Sequence, residues 1–160
     1  MKDSVRAAPP VAVDTAVPEW FDDYSVGLTI SSPCRVVTDD DVRAYVRFSN
    51  DVRPLLGQDE PGRLQVPRLY LFCLGVGLLL HAGAGYIPTR FVAFSGFDEI
   101  DFHRTARGGD VVHSSATVTN LITRTSTGLV VYRHETSLAT GELLVSSVQR
   151  ILVRRRSADA

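Results

Sequence analysis

The chain has 160 residues, with 17 Lys or Arg, 18 Asp or Glu and a formal net charge of −1. This length favours one domain with its own core, and the near-zero charge argues against a nucleic-acid surface. The two cysteines, Cys34 and Cys73, fit no disulfide or metal-binding pattern, so we expect no metal and no cofactor.

The N-terminal part of the chain predicts an arm, a strand and a helix. Residues 1–18 are rich in Ala, Pro and Val without periodicity, which predicts a flexible tail. No basic segment precedes an apolar run there, so no secretory signal is expected and the predicted location is the cytoplasm. Residues 27–37 are typical of a strand. Thr38 followed by three aspartates predicts a helix start, with the helix over 39–49.

The middle of the chain predicts a polar loop followed by an apolar helix. Residues 50–65 are rich in Gly, Pro and Asp, and Pro67 is well placed in the first turn of a helix that reaches about His81. We expect this helix to be buried, with Cys73 as a small core residue. Its densest apolar segment, 69–80, would span about 18 Å, too short for a hydrocarbon core of about 30 Å, so no membrane partner is expected.

The rest of the chain predicts consecutive strands joined by tight turns. The strands cover approximately 91–104, 111–124, 129–139 and 142–155, with Gly-containing turns between the later ones. Short turns between neighbouring strands indicate antiparallel hairpins.

These elements predict an α+β hot-dog fold. A helix that is apolar on nearly every face must be covered on every face, and one curved antiparallel sheet wrapped around it does so with the help of a second subunit. The predicted domain covers 19–155, with a C-terminal tail over 156–160. An exposed sheet edge would pair with another chain, so we expect a homodimer or a heterodimer with another hot-dog subunit.

Several segments make the chain resemble the MaoC-like dehydratases, which include the (R)-specific enoyl-CoA hydratases. The segments are WFDDYSVGLTISSPCRVVTDDDVRAYVRFSND, LQVPRLYLFCLGVGLLL, GFDEIDFHRTARGGD and GELLVSSVQRILVRR. Together they cover roughly residues 19–155. Some of them are most similar to the noncatalytic half of the two-part members of the family.

The resemblance identifies the loop after the first helix as the catalytic loop. The family pattern is Gly-Asp-x-Asn-Pro-aliphatic-His, and this chain has Asn-Asp-Val-Arg-Pro-Leu-Leu at 50–56. Asp51, Pro54 and Leu55 match, but Arg53 replaces the asparagine and Leu56 replaces the histidine. Leucine cannot transfer a proton, and general acid–base help is worth about 10²–10⁴-fold, so altered chemistry is expected.

The resemblance also implies a set of site residues. Asp51 would be the catalytic carboxylate, and backbone N–H groups at the start of the apolar helix would stabilise the enolate-like thioester oxygen. Arg53 would bind a carrier phosphate or a substrate carboxylate, or pair with Asp51, and a solvated loop arginine explains it equally well. Arg68 is more suggestive, because it begins an apolar helix: it would steer a thioester or acid group into the tunnel, or extend its charge to water. The predicted substrate-binding residues are Arg53, Pro54, Leu56, Val66, Pro67, Arg68 and Leu69.

Another histidine is a weak replacement for the missing one. His81 ends the apolar helix, and His113 and His134 lie on strands where we expect them to face solvent. His103 is the best candidate, because a partner subunit can bring it near the loop. Asp98, Glu99 and Asp101 are expected on a solvent-facing strand edge. The alternative explanation of Asp51 is an ordinary turn residue that caps local N–H groups.

Three functions remain open from the sequence. The first is a hydratase- or dehydratase-like lyase that acts on an acyl or polyketide thioester carried by CoA or acyl carrier protein, with dehydration, isomerisation, conjugate addition or cyclisation as its reaction. The second is a noncatalytic acyl-binding subunit of a heteromeric dehydratase. The third is a hot-dog thioesterase.

Overall fold

The computed structural model describes residues 18–52, 63–81 and 87–156. A short 3₁₀ helix at Phe21–Asp23 precedes strands β1 (Thr29–Ser31) and β2 (Arg35–Val36) and helix α1 (Asp39–Ser49). Helix α2 covers Arg68–His81. The other strands are β3 (Phe91–Phe102), β4 (Val111–Thr123), β5 (Thr127–Leu138) and β6 (Leu143–Arg154).

The six strands form one antiparallel sheet in the order β1-β4-β5-β6-β3, with β2 also paired to β4. The predicted first strand is interrupted and forms β1 and β2. The sheet curves around α2, which contacts β4, β5 and β6. The predicted order of elements and the α+β fold are confirmed. No described helix is both long enough and apolar enough to cross a membrane.

Helix α1 begins and ends at the predicted residues because its caps are strong. The hydroxyl of Thr38 accepts a hydrogen bond from the backbone N–H of Asp41 at 3.1 Å, and the carboxylate of Asp41 accepts one from the backbone N–H of Thr38 at 2.9 Å. This is a reciprocal capping box. Asn50, with a left-handed φ of 59°, ends the helix.

Helix α2 buries one face and leaves another open in the single chain. Its buried face consists of Leu71, Leu74, Leu78 and Leu79. Cys73 is exposed, so the predicted core position of this cysteine is wrong. The apolar run reaches both faces of the helix, but this chain's sheet covers only one of them.

The inner face of the sheet carries polar as well as apolar side chains. Tyr132, His134 and Thr136 alternate on the buried face of β5, and all three are fully buried. His134 therefore does not face solvent, contrary to the prediction. The acidic residues Asp98, Glu99 and Asp101 are exposed on β3, as expected.

The chain ends lie partly outside the described residues. The predicted tail is undescribed over 1–17 and 157–160. Arg155 and Arg156 are described, and they bind the carboxylates of Asp22 and Asp23 in the 3₁₀ helix. These contacts hold the last residues of β6 beside the start of the fold.

Candidate active site

Asp51 directly follows the cap of α1. Its backbone N–H donates to the hydroxyl of Ser49 at 3.2 Å, and its side chain is half-buried. Because α1 is capped at both ends, its last turn is well defined, and this fixes the backbone position of Asp51 just beyond it.

The segment that enters α2 forms the opposite wall. The N–H of Leu64 donates to the carboxylate of Asp39 at 2.9 Å, and the N–H of Val66 donates to the carbonyl of Ala106 at 2.9 Å. Arg63 donates to the carbonyl of Gly108 at 2.6 Å and pairs with Asp110. These contacts fix the residues before α2 against α1 and the segment before β4.

A cavity of about 270 Å³ lies between these two walls. Its volume is near the lower end of the range for small-molecule sites, about 300 Å³. One wall comes from α1 and the residue beyond its cap, and the other from the start of α2. The lining residues are Tyr45, Asp51, Gln65, Val66, Pro67, Arg68 and Leu69.

The start of α2 supplies backbone donors beside this cavity. The intrahelical bonds begin where the N–H of Leu71 donates to the carbonyl of Pro67 at 2.9 Å. The N–H groups of Arg68, Leu69 and Tyr70 therefore have no partner within the helix, and they lie at its positive end. Val66 lines the cavity, but its N–H is already bound to Ala106, so it does not supply the expected donor.

Arg68 adds a positive side chain at the same end of α2. It is exposed, and its guanidinium lies 6.0 Å from the centre of the Phe102 ring. No acidic partner of Arg68 is found among the ion pairs of the described residues. Together with the N-terminus of the helix, the guanidinium gives this side of the cavity a positive charge.

The structure brings together five of the predicted site residues. Asp51, Val66, Pro67, Arg68 and Leu69 line the same cavity, and their roles remain predictions.

The other predicted site residues lie elsewhere. Arg53, Pro54 and Leu56 lie outside the described residues. His103 is not among the described residues that line the cavity, and its Nε2 lies 2.9 Å from the hydroxyl of Ser146. Its predicted role requires a partner subunit.

Tyr45 and Gln65 line the cavity although the sequence reasoning did not select them. The helical spacing of Val42, Tyr45 and Val46 indicates that α1 is a helix, but it does not indicate the cavity. The signal that indicates Tyr45 is its position on the last two turns of the helix that leads to Asp51. Gln65 is separated from Pro67 by a single residue, so the boundary of α2 indicates it.

A single antiparallel sheet that holds an apolar helix on its inner face defines the hot-dog fold. The structure is similar to the MaoC-like dehydratase from Rhodospirillum rubrum, with a TM-score of 0.73 and 20% identity over 86% of this chain and 97% of that chain. A conserved hypothetical protein from Mycobacterium tuberculosis with a double hot-dog fold gives a TM-score of 0.70 at 21% identity, over 88% of this chain and 45% of the longer one.

The structures of a hydratase and of a dehydratase complex are also similar to this chain. The (R)-hydratase from A. caviae gives a TM-score of 0.63 at 20% identity, covering 81% of this chain and 96% of that chain. A chain of the M. tuberculosis HadBC (3R-hydroxyacyl-ACP dehydratase) complex gives 0.56 at 18%, covering 79% and 96%. The sequence itself matches no known family profile and no curated protein. The similarities establish the hot-dog fold of this chain.

Proposed function

We propose that this protein is a hydratase- or dehydratase-like lyase that acts on an acyl or polyketide thioester. The observation that carries the proposal is the cavity in which Asp51 faces the start of α2. The hot-dog fold supports it, since the similar structures include a MaoC-like dehydratase and an (R)-hydratase. Isomerisation, conjugate addition and cyclisation use the same enolate-like intermediate and belong to the same proposal.

The start of α2 is proposed to bind the thioester carbonyl. As charge develops on the carbonyl oxygen, the N–H groups of Arg68 and Leu69 stabilise it, with the help of the helix dipole. A fixed donor of this kind typically contributes about 10²–10³-fold to kcat. The side chain of Arg68, together with Arg53, would attract the phosphates of CoA or of an acyl carrier protein.

Asp51 is proposed to transfer the proton to and from the α-carbon. A carboxylate within reach of the α-carbon removes this proton in dehydration and returns it in hydration. Pro54 and Leu56 would complete the wall around the acyl group, with Leu56 in place of a proton-transferring histidine.

A noncatalytic subunit is the second candidate, and the similarity to a chain of the HadBC complex favours it. In this case the protein would bind the acyl chain beside a homologue that supplies the complete Asp-His pair. The open face of α2 and the outer edge of β3 would form the contact with either kind of partner, an identical chain or a homologue.

The deciding experiment compares Asp51→Asn with the wild type. We expect the wild type to interconvert crotonyl-CoA and 3-hydroxybutyryl-CoA, or their carrier-protein equivalents, and Asp51→Asn to lose at least about 10²-fold of this rate. Asp40→Asn is the matched control, because Asp40 lies on the exposed side of α1 and pairs only with Arg43 among the described residues.

Each alternative gives a different result in this assay. Turnover that appears only when a homologue with an intact Asp-His motif is added indicates the noncatalytic subunit. Release of free thiol without a change in the double bond indicates a thioesterase. Equal rates for the wild type and Asp51→Asn would overturn the proposed role of Asp51.

A further inference from the structure

Tyr45 shares the cavity with Asp51 and has a chemical group that the catalytic loop lacks. Among the described lining residues, only Tyr45 carries a hydroxyl. A phenol is protonated at neutral pH, so it donates a hydrogen bond or a proton where a leucine cannot. A lone carboxylate can remove an α-proton, but the oxygen that leaves the neighbouring carbon also needs a proton.

The ring of Tyr45 is held in place by α2. It packs against the ring of Tyr70, with centroids 5.3 Å apart and an angle of 36° between the planes. Tyr70 is half-buried, and burial, together with the charge of Asp41, raises its pKa, while Arg35 acts in the opposite direction. Arg35 itself pairs with Asp41 at 2.7 Å. The support behind Tyr45 therefore reaches from α2 back to the cap of α1.

The same helix positions both groups of the cavity. Tyr45 lies on α1, and Asp51 follows Asn50 at the end of α1. Their separation is thus set by one capped helix and one left-handed residue. A donor and a base that act on adjacent carbons of one substrate must reach the same cavity, and both of these residues line it.

We infer that Tyr45 is the proton donor that acts together with Asp51, and that it protonates the oxygen that leaves the third carbon of the acyl group. This inference rests on the proposed function and names the group that takes the place of the missing histidine.

The step balances with these two residues. Asp51 takes the α-proton, the electrons of that C–H bond form the double bond, and the bond from the third carbon to oxygen breaks. The leaving oxygen takes the phenolic proton of Tyr45 and departs as water. The protonated Asp51 then returns its proton to the Tyr45 phenolate, directly or through a water molecule. Hydration follows the same steps in reverse.

The first test replaces Tyr45 with phenylalanine, which keeps the ring stacked on Tyr70. We expect kcat for dehydration to fall by about 10²-fold or more, with little change in KM. Tyr70→Phe is the matched control, because it keeps the ring against Tyr45 and Tyr70 is not among the described residues that line the cavity. It should retain both kcat and KM.

The result separates this inference from the proposed function. If Asp51→Asn abolishes turnover and Tyr45→Phe stays within threefold of the wild type, the inference is overturned and the proposed function stands. If Tyr45→Phe changes KM alone, Tyr45 binds substrate without donating a proton, and the inference is again overturned.

A binding test decides the case in which the wild type shows no turnover. The probes are the unreactive amide isosteres of 3-hydroxybutyryl-pantetheine and butyryl-pantetheine. A wild-type preference of up to about tenfold for the hydroxylated probe that disappears in Tyr45→Phe supports the contact between Tyr45 and the hydroxyl. The same affinity for both probes, or a preference that survives in Tyr45→Phe, overturns it.

Discussion

At the scale of single residues, the buried imidazole of His134 links the stability of the fold to pH. Burial lowers the pKa of His134 to about 4, while the Gly75 carbonyl on α2 and the charge of Glu135 act in the opposite direction. Nδ1 lies 3.3 Å from the Ser147 hydroxyl, and the ring of Phe72 is 6.2 Å away. The folded protein therefore holds this histidine in its neutral form.

This arrangement predicts a loss of stability in mild acid. Above pH 6.5 the imidazole is neutral in both states; between 6.5 and about 4 only the unfolded chain binds the proton, so the free energy of unfolding falls as pH falls. We expect roughly 2 kcal/mol to be lost between pH 7 and pH 5, measured by urea unfolding.

Two variants check the origin of this pH dependence. His134→Gln should flatten the slope between pH 7 and pH 5, whereas His103→Gln, at an exposed position, should retain it. The carboxylates of Asp22 and Asp23 also have lowered pKa values, through their hydrogen bonds to backbone N–H groups and to Arg155 and Arg156, and their contribution is lost only below this window. A wild type with equal stability at both pH values would contradict the assignment.

Sequence reasoning found individual residues where a local pattern was specific. Asp51 is selected by the resemblance of residues 50–56 to the catalytic loop of the MaoC-like dehydratases, and its catalytic role remains a prediction. The structure shows that it lines a cavity together with the start of α2. His134 lies between two charged residues, Arg133 and Glu135, and in a strand of period two this places it on the opposite face of the sheet from them. The alternation of Val130, Tyr132, His134 and Thr136 along one face of β5 predicts the buried position of His134.

At the scale of elements, Gly75 sets how closely α2 approaches the sheet. A Cβ built on Gly75 would overlap the Thr136 hydroxyl and lie 3.0 Å from the Ser114 hydroxyl. These two hydroxyls are hydrogen-bonded to each other at 3.0 Å. The helix therefore rests directly on the strands at this point, and no side chain fits between them.

Gly75→Ala should therefore weaken the fold even though alanine favours helices. We expect a loss of about 1–3 kcal/mol from overpacking, measured by urea unfolding at fixed protein concentration. Gly77→Ala is the control on the same helix, because a Cβ there meets nothing within 4 Å, and it should retain or gain stability, by up to about 1 kcal/mol. Adding Thr136→Ala to Gly75→Ala should restore part of the loss. Equal unfolding free energies for the two glycine variants would contradict this account.

The helix bounds were easier to predict than the helix faces. The Thr38 cap and the aspartates that follow it identify α1 from local chemistry alone. In α2 the continuous apolar run shows that the helix is packed, but not which side meets the sheet, so Cys73 was placed in the core although it is exposed. The contact at Gly75 depends on Thr136, which lies 61 positions further along the chain. A local sequence pattern does not reveal a contact between residues so far apart in the sequence.

At the scale of the whole molecule, the two edges of the sheet differ. The β1 and β2 edge is made of strands of three and two residues, whereas β3 at the other edge has 12 residues and pairs only with β6 among the described strands. A long unpaired edge is a template for another chain. The first half of β3 presents the exposed apolar side chains Val92 and Phe94, and the acidic residues are confined to its second half.

The open face of α2 belongs to the same chain, and no element of the described residues covers it. Leu69 and Leu80 are exposed by 58% and 47%, which is unusual for leucines on such an apolar helix. From the two open surfaces together we predict that a second hot-dog chain completes the hydrophobic coverage that one sheet does not supply. The same coverage would surround Leu69 at the cavity and would couple assembly to the proposed site.

The outer edge of β3 therefore predicts a dimer that a single charge can break. We expect the wild type to be a dimer in sedimentation equilibrium. In Phe94→Asp a carboxylate would be buried between two strand edges, so this variant should sediment as a monomer. Ile122→Asp is the matched control, because Ile122 is as exposed as Phe94, at 44% and 46%, but lies near the end of β4. It should leave the dimer intact. A wild type that sediments as a monomer would contradict the prediction of a homodimer, and so would an equal loss of association in both variants. If the partner is a homologue, the same pair of variants is tested in the mixed complex.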